Sequence, residues 1–246
     1  MCNQDGPDAN RPVALSRRDA TITSVAEVQA DFDRIALLAD DEWNHNSHYH
    51  AFLLKRIPAR CAQALEIGCG TGGFARLLAQ RAERVLALDL APQMIRVARD
   101  RAKHLANIEF QVADAATWQF PAERFDCIVS IATLHHLPLG EMLDKIKRSL
   151  TPNGVLLVLD LFRAEGLADD LASTLAAPVS AALTLIKRRR LREPAQVRAA
   201  WDAHGRHDSY LSLSEIRSIC AGILPGAVVT RRLLWRYSII WKKTGP

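Results

Sequence analysis

From Val25 to Leu38 apolar side chains return every three or four positions, at Val25, Val28, Phe32, Ile35 and Leu38, which predicts an amphipathic helix with one buried stripe. A second helix is expected from about Ser47 to Arg56, ended by Pro58. From Ala62 the period changes. "AQALEI", "RVLALD", "NIEFQVA", "FDCIVSI" and "GVLLVLDLF" are apolar runs of strand length, and the segments between them keep helical periodicity. That alternation predicts an α/β fold, a parallel sheet with helices on both faces. Pro92 opens one helix, and "TPNG" turns the chain into the fifth strand.

After Phe162 the alternation stops, and roughly sixty residues of mainly helical character follow. The most apolar stretch of the chain, "LASTLAAPVSAALTLI" (Leu171 to Ile186), is shorter than a membrane span and contains Pro178, so a buried or lid helix is expected. Ser212 and Glu215 form a capping box at the start of a later helix. "AVVTRRLLWRYSIIWKK" then alternates and supplies two closing strands, for seven in all.

With 246 residues, 49% of them apolar, the chain has the size of one globular domain with elaborations. Its polar opening, "MCNQDGPDANRP", reads as a loose tail and not a signal peptide. The five cysteines show no C-x-x-C spacing; Cys61 and Cys127 fit core packing, and a reduced, cytoplasmic setting is expected. The net charge of +5 gathers in "KRRRLR" (Lys187 to Arg192) and "RRLLWR" (Arg231 to Arg236). A solvated face and a strand edge are the expected settings, with phosphate or membrane-surface binding as the lesser alternative.

Candidate chemistry begins at "LEIGCGTGG", where Gly68, Gly70 and Gly73 spell G-x-G-x-x-G between a strand and a helix. Such a loop brings backbone N–H groups close to a ligand, and Asp89, ending "RVLALD", stands at the spacing of an acid that grips ribose hydroxyls. Both features serve a dinucleotide equally well. Glu66, two residues before the first glycine, does not: a carboxylate about 4 Å from a pyrophosphate is repelled by several kcal/mol at an effective dielectric of ~20. A cofactor with a cationic centre welcomes it.

"LEIGCGTGGFARLLA", "VLALDLAPQMIRVAR", "VADAATW", "FDCIVSIATLHHL" and "LTPNGVLLVLD" resemble, in order, the motifs of class I S-adenosylmethionine-dependent methyltransferases. Within that class they are most similar to the small-molecule branch that includes the ubiquinone and menaquinone biosynthetic enzymes. The likeness spans about Ala62 to Leu161. It implies a Rossmann-like seven-stranded sheet, N-terminal helices and a helical cap inserted after the fifth strand, with S-adenosyl-L-methionine as cofactor. It further implies that Gly68, Cys69 and Gly70 line the cofactor by backbone, that Asp89 holds the ribose, and that Met94 or Leu90 packs on adenine. Asp114 with Ala115 would accept the adenine amino group, and Ile131 would lie beside the methionyl part. The expected organisation is a tail over 1–20, lid helices over 21–60, and a cofactor-binding catalytic domain over 61–246 whose substrate cap spans 163–225.

Methyl transfer is an in-line displacement, so alignment supplies much of the rate and a base is needed only where the acceptor sheds a proton. Histidine suits that role. His136, with His135, follows the fourth strand at the ligand-binding edge of a parallel sheet; the competing reading has His135 capping a helix and His136 packing. "WNHNSHYH" (Trp43 to His50) offers Asn44, His45 and Tyr49 to cofactor or substrate, since an N-terminal helix commonly folds over the cofactor in the resembled family. Without a carboxylate or thiolate set in that segment, no metal is expected. "AWDAHGRHDSY" adds His204, His207, Asp208 and Tyr210, with His207 the third candidate base and a surface loop the competing reading.

The expected reaction is methylation of a small, aromatic or heterocyclic acceptor. The alternative is a nucleic-acid methyltransferase, favoured only by charge: "SIAT" (Ser130 to Thr133) stands where base-amino methyltransferases carry N/D-P-P-Y. A binding protein without catalysis and an NAD-linked oxidoreductase complete the alternatives. The sequence leaves self-association as a homodimer open.

Overall fold

A computed structural model describes residues 24–38, 43–189, 194–206 and 208–245. The seven strands are β1 (Gln63–Ile67), β2 (Arg84–Asp89), β3 (Ile108–Val112), β4 (Phe125–Ile131), β5 (Leu150–Leu161), β6 (Val228–Arg232) and β7 (Arg236–Lys242). They form one sheet in the order β3-β2-β1-β4-β5-β7-β6, and only β7 runs antiparallel to its neighbours. The strand order reverses between β1 and β4, so the loops after those strands diverge and leave a crevice.

Alternation along each strand builds the core twice. Ala64, Val85, Ala87, Cys127, Val129 and Leu157 face one way and pack with Phe74, Leu78 and Ile95. Leu65, Ile67, Leu88, Ile128, Leu156 and Val158 face the other way and meet Met142, Leu143 and Ile146. These contacts come from α3 (Gly73–Leu78) and α4 (Pro92–Arg101) on one face and α5 (Leu139–Ser149) on the other. Cys61 and Cys127 are core residues, as their apolar surroundings required.

Before the sheet come α1 (Val25–Leu38), a 3-10 turn over Ser47–Tyr49 and the short α2 (His50–Leu54). α1 packs on α4, and Asp33 of α1 accepts a hydrogen bond from the Gln93 amide at 2.8 Å, capping a helix whose own N-terminus carries no capping side chain. After β5 come α6 (Leu167–Arg188), α7 (Ala195–Gly205) and α8 (Leu213–Ile223). The Ser212–Glu215 capping box is present.

Three local features depart from the sequence reading. "TPNG" lies within β5, with Asn153 at φ +66° and an irregular register to β4, and so does not precede the strand. α8 packs on α5 and β6, so within 163–225 the cavity described below draws on α6, α7 and the loop after α7. α6 is exposed over most of its described length from 174 to 187, which excludes the buried alternative and not the lid.

The glycine loop is held by its own amides. Gly68 and Cys69 donate to the Leu88 carbonyl at 2.8 and 2.9 Å, and Gly72 donates to Cys69 at 2.9 Å. Gly68 has φ +72°, and a β-carbon there would sit 1.9 Å from Thr133 Oγ1. Gly68→Ala is therefore expected to destabilise the fold by about 3 kcal/mol in denaturant unfolding. Adding Thr133→Gly should recover about 1 kcal/mol as a coupling term, because only the unfavourable φ is then left.

Candidate active site

The crevice opens into a cavity of about 430 Å³ bounded by the ends of β1, β2 and β4, by α1 and α7, and by residues 44–50. Glu66, Gly68, Cys69, Gly70, Asp89, Leu90, Met94, Asp114, Ala115 and Ile131 all line it. Tyr49 does not. Its ring is buried and its hydroxyl donates to the Leu233 carbonyl at 2.8 Å, tying the N-terminal segment to the β6–β7 hairpin. His45 and His136 line the cavity, whereas His207 lies outside the described residues.

At the floor, the Asp89 carboxylate accepts the Gly70 amide at 2.7 Å and the Ala91 amide at 2.9 Å. Burial raises its pKa to about 6, against the pull of those two amides. Glu66 is fully buried and its pKa lies well above the carboxylate range, first through burial and then through the nearby Asp89, with Arg76 opposing. Its Oε2 has no hydrogen-bond partner. A buried orphan oxygen is costly, and a donor-bearing cation from a ligand would satisfy it. Because Gly68, Cys69 and Gly70 spend their amides inside the protein, they offer a ligand close approach and not an N–H cradle. Asp114 accepts the Ala116 amide at 2.8 Å, which fixes its carboxylate on the cavity wall.

Opposite stands a polar wall that sequence reasoning reached only in part. His135 Nδ1 lies 2.6 Å from Asp160 Oδ1, and its backbone amide donates to Asp160 Oδ2 at 3.2 Å. Burial pulls the His135 pKa down, but the Asp160 contact, with Asp208 beyond, outweighs it and the net direction is up. His136, stacked 3.9 Å from His135 between ring centroids, goes the other way. Burial, then the charges of His135 and His204, lowers it to about 2. Its Nδ1 is 3.4 Å from Asp208 Oδ1, and its buried Nε2 has no partner. Asp208 also accepts the Tyr210 hydroxyl at 2.7 Å and lies 3.6 Å from His204 Nε2. His204 in turn approaches Asp31 of α1 at 3.4 Å. His135, His136 and Asp208 each bring one ligand atom within 4.8 Å of the others, close enough for a metal ion. Two of the three are already committed, His135 to Asp160 and Asp208 to Tyr210.

His45 is held elsewhere on the rim, with Nε2 2.8 Å from Ser180 Oγ of α6 and a pKa lowered to about 3, by burial first and then by Arg236 and His48. Arg236 was not anticipated as a site residue. It starts β7, lines the cavity, donates to Asn46 Oδ1 at 2.8 Å and to the Leu234 carbonyl at 3.1 Å, and burial lowers its pKa to about 10. The "RRLLWR" run held the signal, but alternation alone does not say which of its arginines turns inward. Phe32 and Trp201 complete the wall, the Phe32 ring 4.5 Å from that of His204.

Comparison with known proteins agrees with this geometry. Residues 64–154 match the model of a family described as a methyltransferase domain. An uncharacterised methyltransferase of Mycobacterium bovis is 31% identical over 206 residues, covering 82% of this chain and 98% of that protein. A trans-aconitate 2-methyltransferase of Streptomyces avermitilis is 38% identical over 103 residues, 39% of this chain and 38% of its own. Among solved structures, the N-methyltransferase NodS of Bradyrhizobium japonicum WM9 in complex with S-adenosyl-L-homocysteine shares the fold, with a TM-score of 0.59 at 19% identity, over 88% of this chain and 98% of that one. A floor of one buried and one half-buried carboxyl group beside a glycine turn, at the crevice of a sheet shared with such enzymes, suits a cofactor carrying ribose hydroxyls and a cationic centre. The chain belongs to the class I S-adenosylmethionine-dependent methyltransferases.

Proposed function

We propose that this enzyme methylates a small acceptor inside the cavity, and that His136 takes the proton the acceptor loses. The observation that carries the base assignment is the unpaired, buried Nε2 of His136 on the cavity wall, with Asp208 behind its other ring nitrogen. Burial, His135 and His204 hold the free imidazole neutral with its pKa lowered to about 2, so it can take a proton only as Asp208, 3.4 Å from Nδ1, stabilises the imidazolium that forms. A small acceptor is supported by enclosure: α1, α7 and the segment around His45 wall the cavity, and Phe32 and Trp201 give it apolar sides. One relative is named for trans-aconitate, which accords with an acceptor of that scale.

When bound, S-adenosylmethionine supplies a methyl group on a positively charged sulfur. Asp89 would accept its ribose hydroxyls, Glu66 would face its cationic part, Met94 or Leu90 would pack on adenine, and Asp114 with Ala115 would receive the adenine amino group. Cys69 and Ile131 would contribute contact surface alone. His45 also has a buried ring nitrogen without a partner, Nδ1, but its other nitrogen meets the Ser180 hydroxyl and not a carboxylate, so it is assigned a positioning role. His135, drawn toward the imidazolium form by Asp160, fixes the turn that carries His136.

Glu66→Gln should weaken S-adenosylmethionine binding at least ~10-fold by calorimetry, through loss of a charge-assisted contact. Unchanged affinity, or tight binding of NAD, would remove the electrostatic basis of the assignment.

Asp89 sets a pH dependence. Its carboxyl is protonated below about 6 in the free protein and is needed ionised to accept hydroxyl donors, so cofactor affinity should rise with pH through that value and binding should release a proton. Initial rates should show KM for the cofactor increasing up to ~10-fold per pH unit below that point. kcat at saturating cofactor should stay nearly level over the same range, and a fall in kcat with constant KM would place the titration elsewhere.

His136→Ala should lower kcat by ~100-fold or more and leave S-adenosyl-L-homocysteine affinity intact. His45→Ala should change KM more than kcat. Normal turnover in His136→Ala would leave alignment alone as the source of rate.

A further inference from the structure

α6 carries an apolar outer face. All seven exposed positions between 177 and 186 are apolar, the largest being Val179, Leu185 and Ile186 at 41, 48 and 71% exposure. Its inner side packs Ala176 and Leu183 against the core and places Ser180, 6% exposed, against His45, while the half-buried Thr184 donates to the Ser180 carbonyl at 2.8 Å. A surface helix in water ordinarily turns polar and charged residues outward. Directly after the apolar stretch come Lys187, Arg188 and Arg189, the first and last of them exposed, and no acidic residue stands between 177 and 189.

We infer that this face of α6 docks on the surface of an anionic lipid bilayer, with its apolar side chains in the acyl boundary and its C-terminal cations among the headgroups. An apolar helix face followed by a cationic end is the pattern that lies in a membrane interface and is held there by negative lipids. No described helix is long and apolar enough to cross a membrane, so the contact is superficial. A second copy of the chain fits the face less well. Ten helical residues offer a patch about 15 Å long and ~10 Å wide, far below the ~800 Å² per subunit of an ordinary stable interface. A bilayer needs no matching surface, and a small patch supports reversible attachment. Arg188 at the end of α6 and Trp201, 40% exposed, both line the cavity, so docking holds the cavity rim at the lipid surface.

The test is flotation of the full chain with vesicles of phosphatidylcholine, with and without phosphatidylglycerol, at low and high salt. The chain should float with phosphatidylglycerol vesicles at low salt, and salt should weaken the association. The pair Val179→Glu and Ile186→Glu should cut the bound fraction at least ~10-fold. The pair Lys187→Glu and Arg189→Glu should remove the preference for phosphatidylglycerol. None of these four side chains lines the cavity, so S-adenosyl-L-homocysteine binding by calorimetry on the same samples should stay unchanged; it reports on folding and on the methyltransferase reading separately from docking. Failure to float at low salt, or flotation indifferent to both pairs, would overturn the inference. So would light scattering showing a dimer that Ile186→Glu dissociates, which would give the face to a second copy.

Discussion

Two carboxyl groups at the tips of adjacent strands, Glu66 buried and Asp89 half-buried, set the terms for the rest of this molecule. Asp89 ends β2 and reaches across to the Gly70 amide, so it fixes the glycine turn after β1 as well as its own loop through Ala91. Glu66 lies within its field and has nowhere to place one oxygen. The arrangement is tolerable because burial lets Glu66 keep its proton until a cation arrives. In the proposed reading the site takes a ligand that supplies both hydroxyl donors and positive charge, and binding it would release a proton.

This changes the reason Glu66 discriminates against a dinucleotide. Repulsion from a pyrophosphate presumes an ionised carboxylate, but a carboxyl with so raised a pKa could escape the repulsion by staying protonated. In the proposed reading selection would rest instead on what a cation gains there: an orphaned acceptor would be paired and a buried acid ionised against a fixed counter-charge. The glycine turn contributes little to charge selection, since the amides of Gly68, Cys69 and Gly70 serve Leu88 and Asp89. Its contribution is room, and Thr133 pressed against Gly68 shows how little is spare on the protein side.

The sheet was legible because burial on both faces leaves apolar runs of strand length, and the helices flanking it because their stripes recur every three or four residues. The cofactor floor was legible for the same reason: it sits at the ends of recognisable strands. The opposite wall was only half legible. His136, Asp208 and Tyr210 could be named, but their convergence depends on how α7 and its following loop return over the sheet, which no local pattern encodes. Arg236 reads as one more cation in a basic strand, and its inward turn depends on a hairpin loop whose Leu234 and Trp235 both take φ +57° without glycine or asparagine. Tyr49 misleads for a similar reason. It stands among cavity residues in sequence, yet the turn over Ser47–Tyr49 aims it at that hairpin. α6 misleads most: its apolar composition admits a buried helix or a lid, and the helix leaves seven apolar residues between 177 and 186 exposed.

The exposed face of α6 stands opposite the contacts that hold the cover. The elements over the cavity are tied down by polar contacts that face inward: His45 to Ser180 on α6, Arg236 to Asn46, and His204 between Asp31 on α1 and Asp208. Each contact is short of water and therefore directional, so each fixes the placement of one covering element more than it stabilises the fold. The inner side of α6 holds Ser180 against His45 and Ala176 and Leu183 against the core, and its outer side keeps an apolar face. The chemistry of the cavity and the unusual surface of α6 are two sides of one helix, and a substitution that made Ser180 apolar would remove the inward anchor while leaving the outward face unchanged.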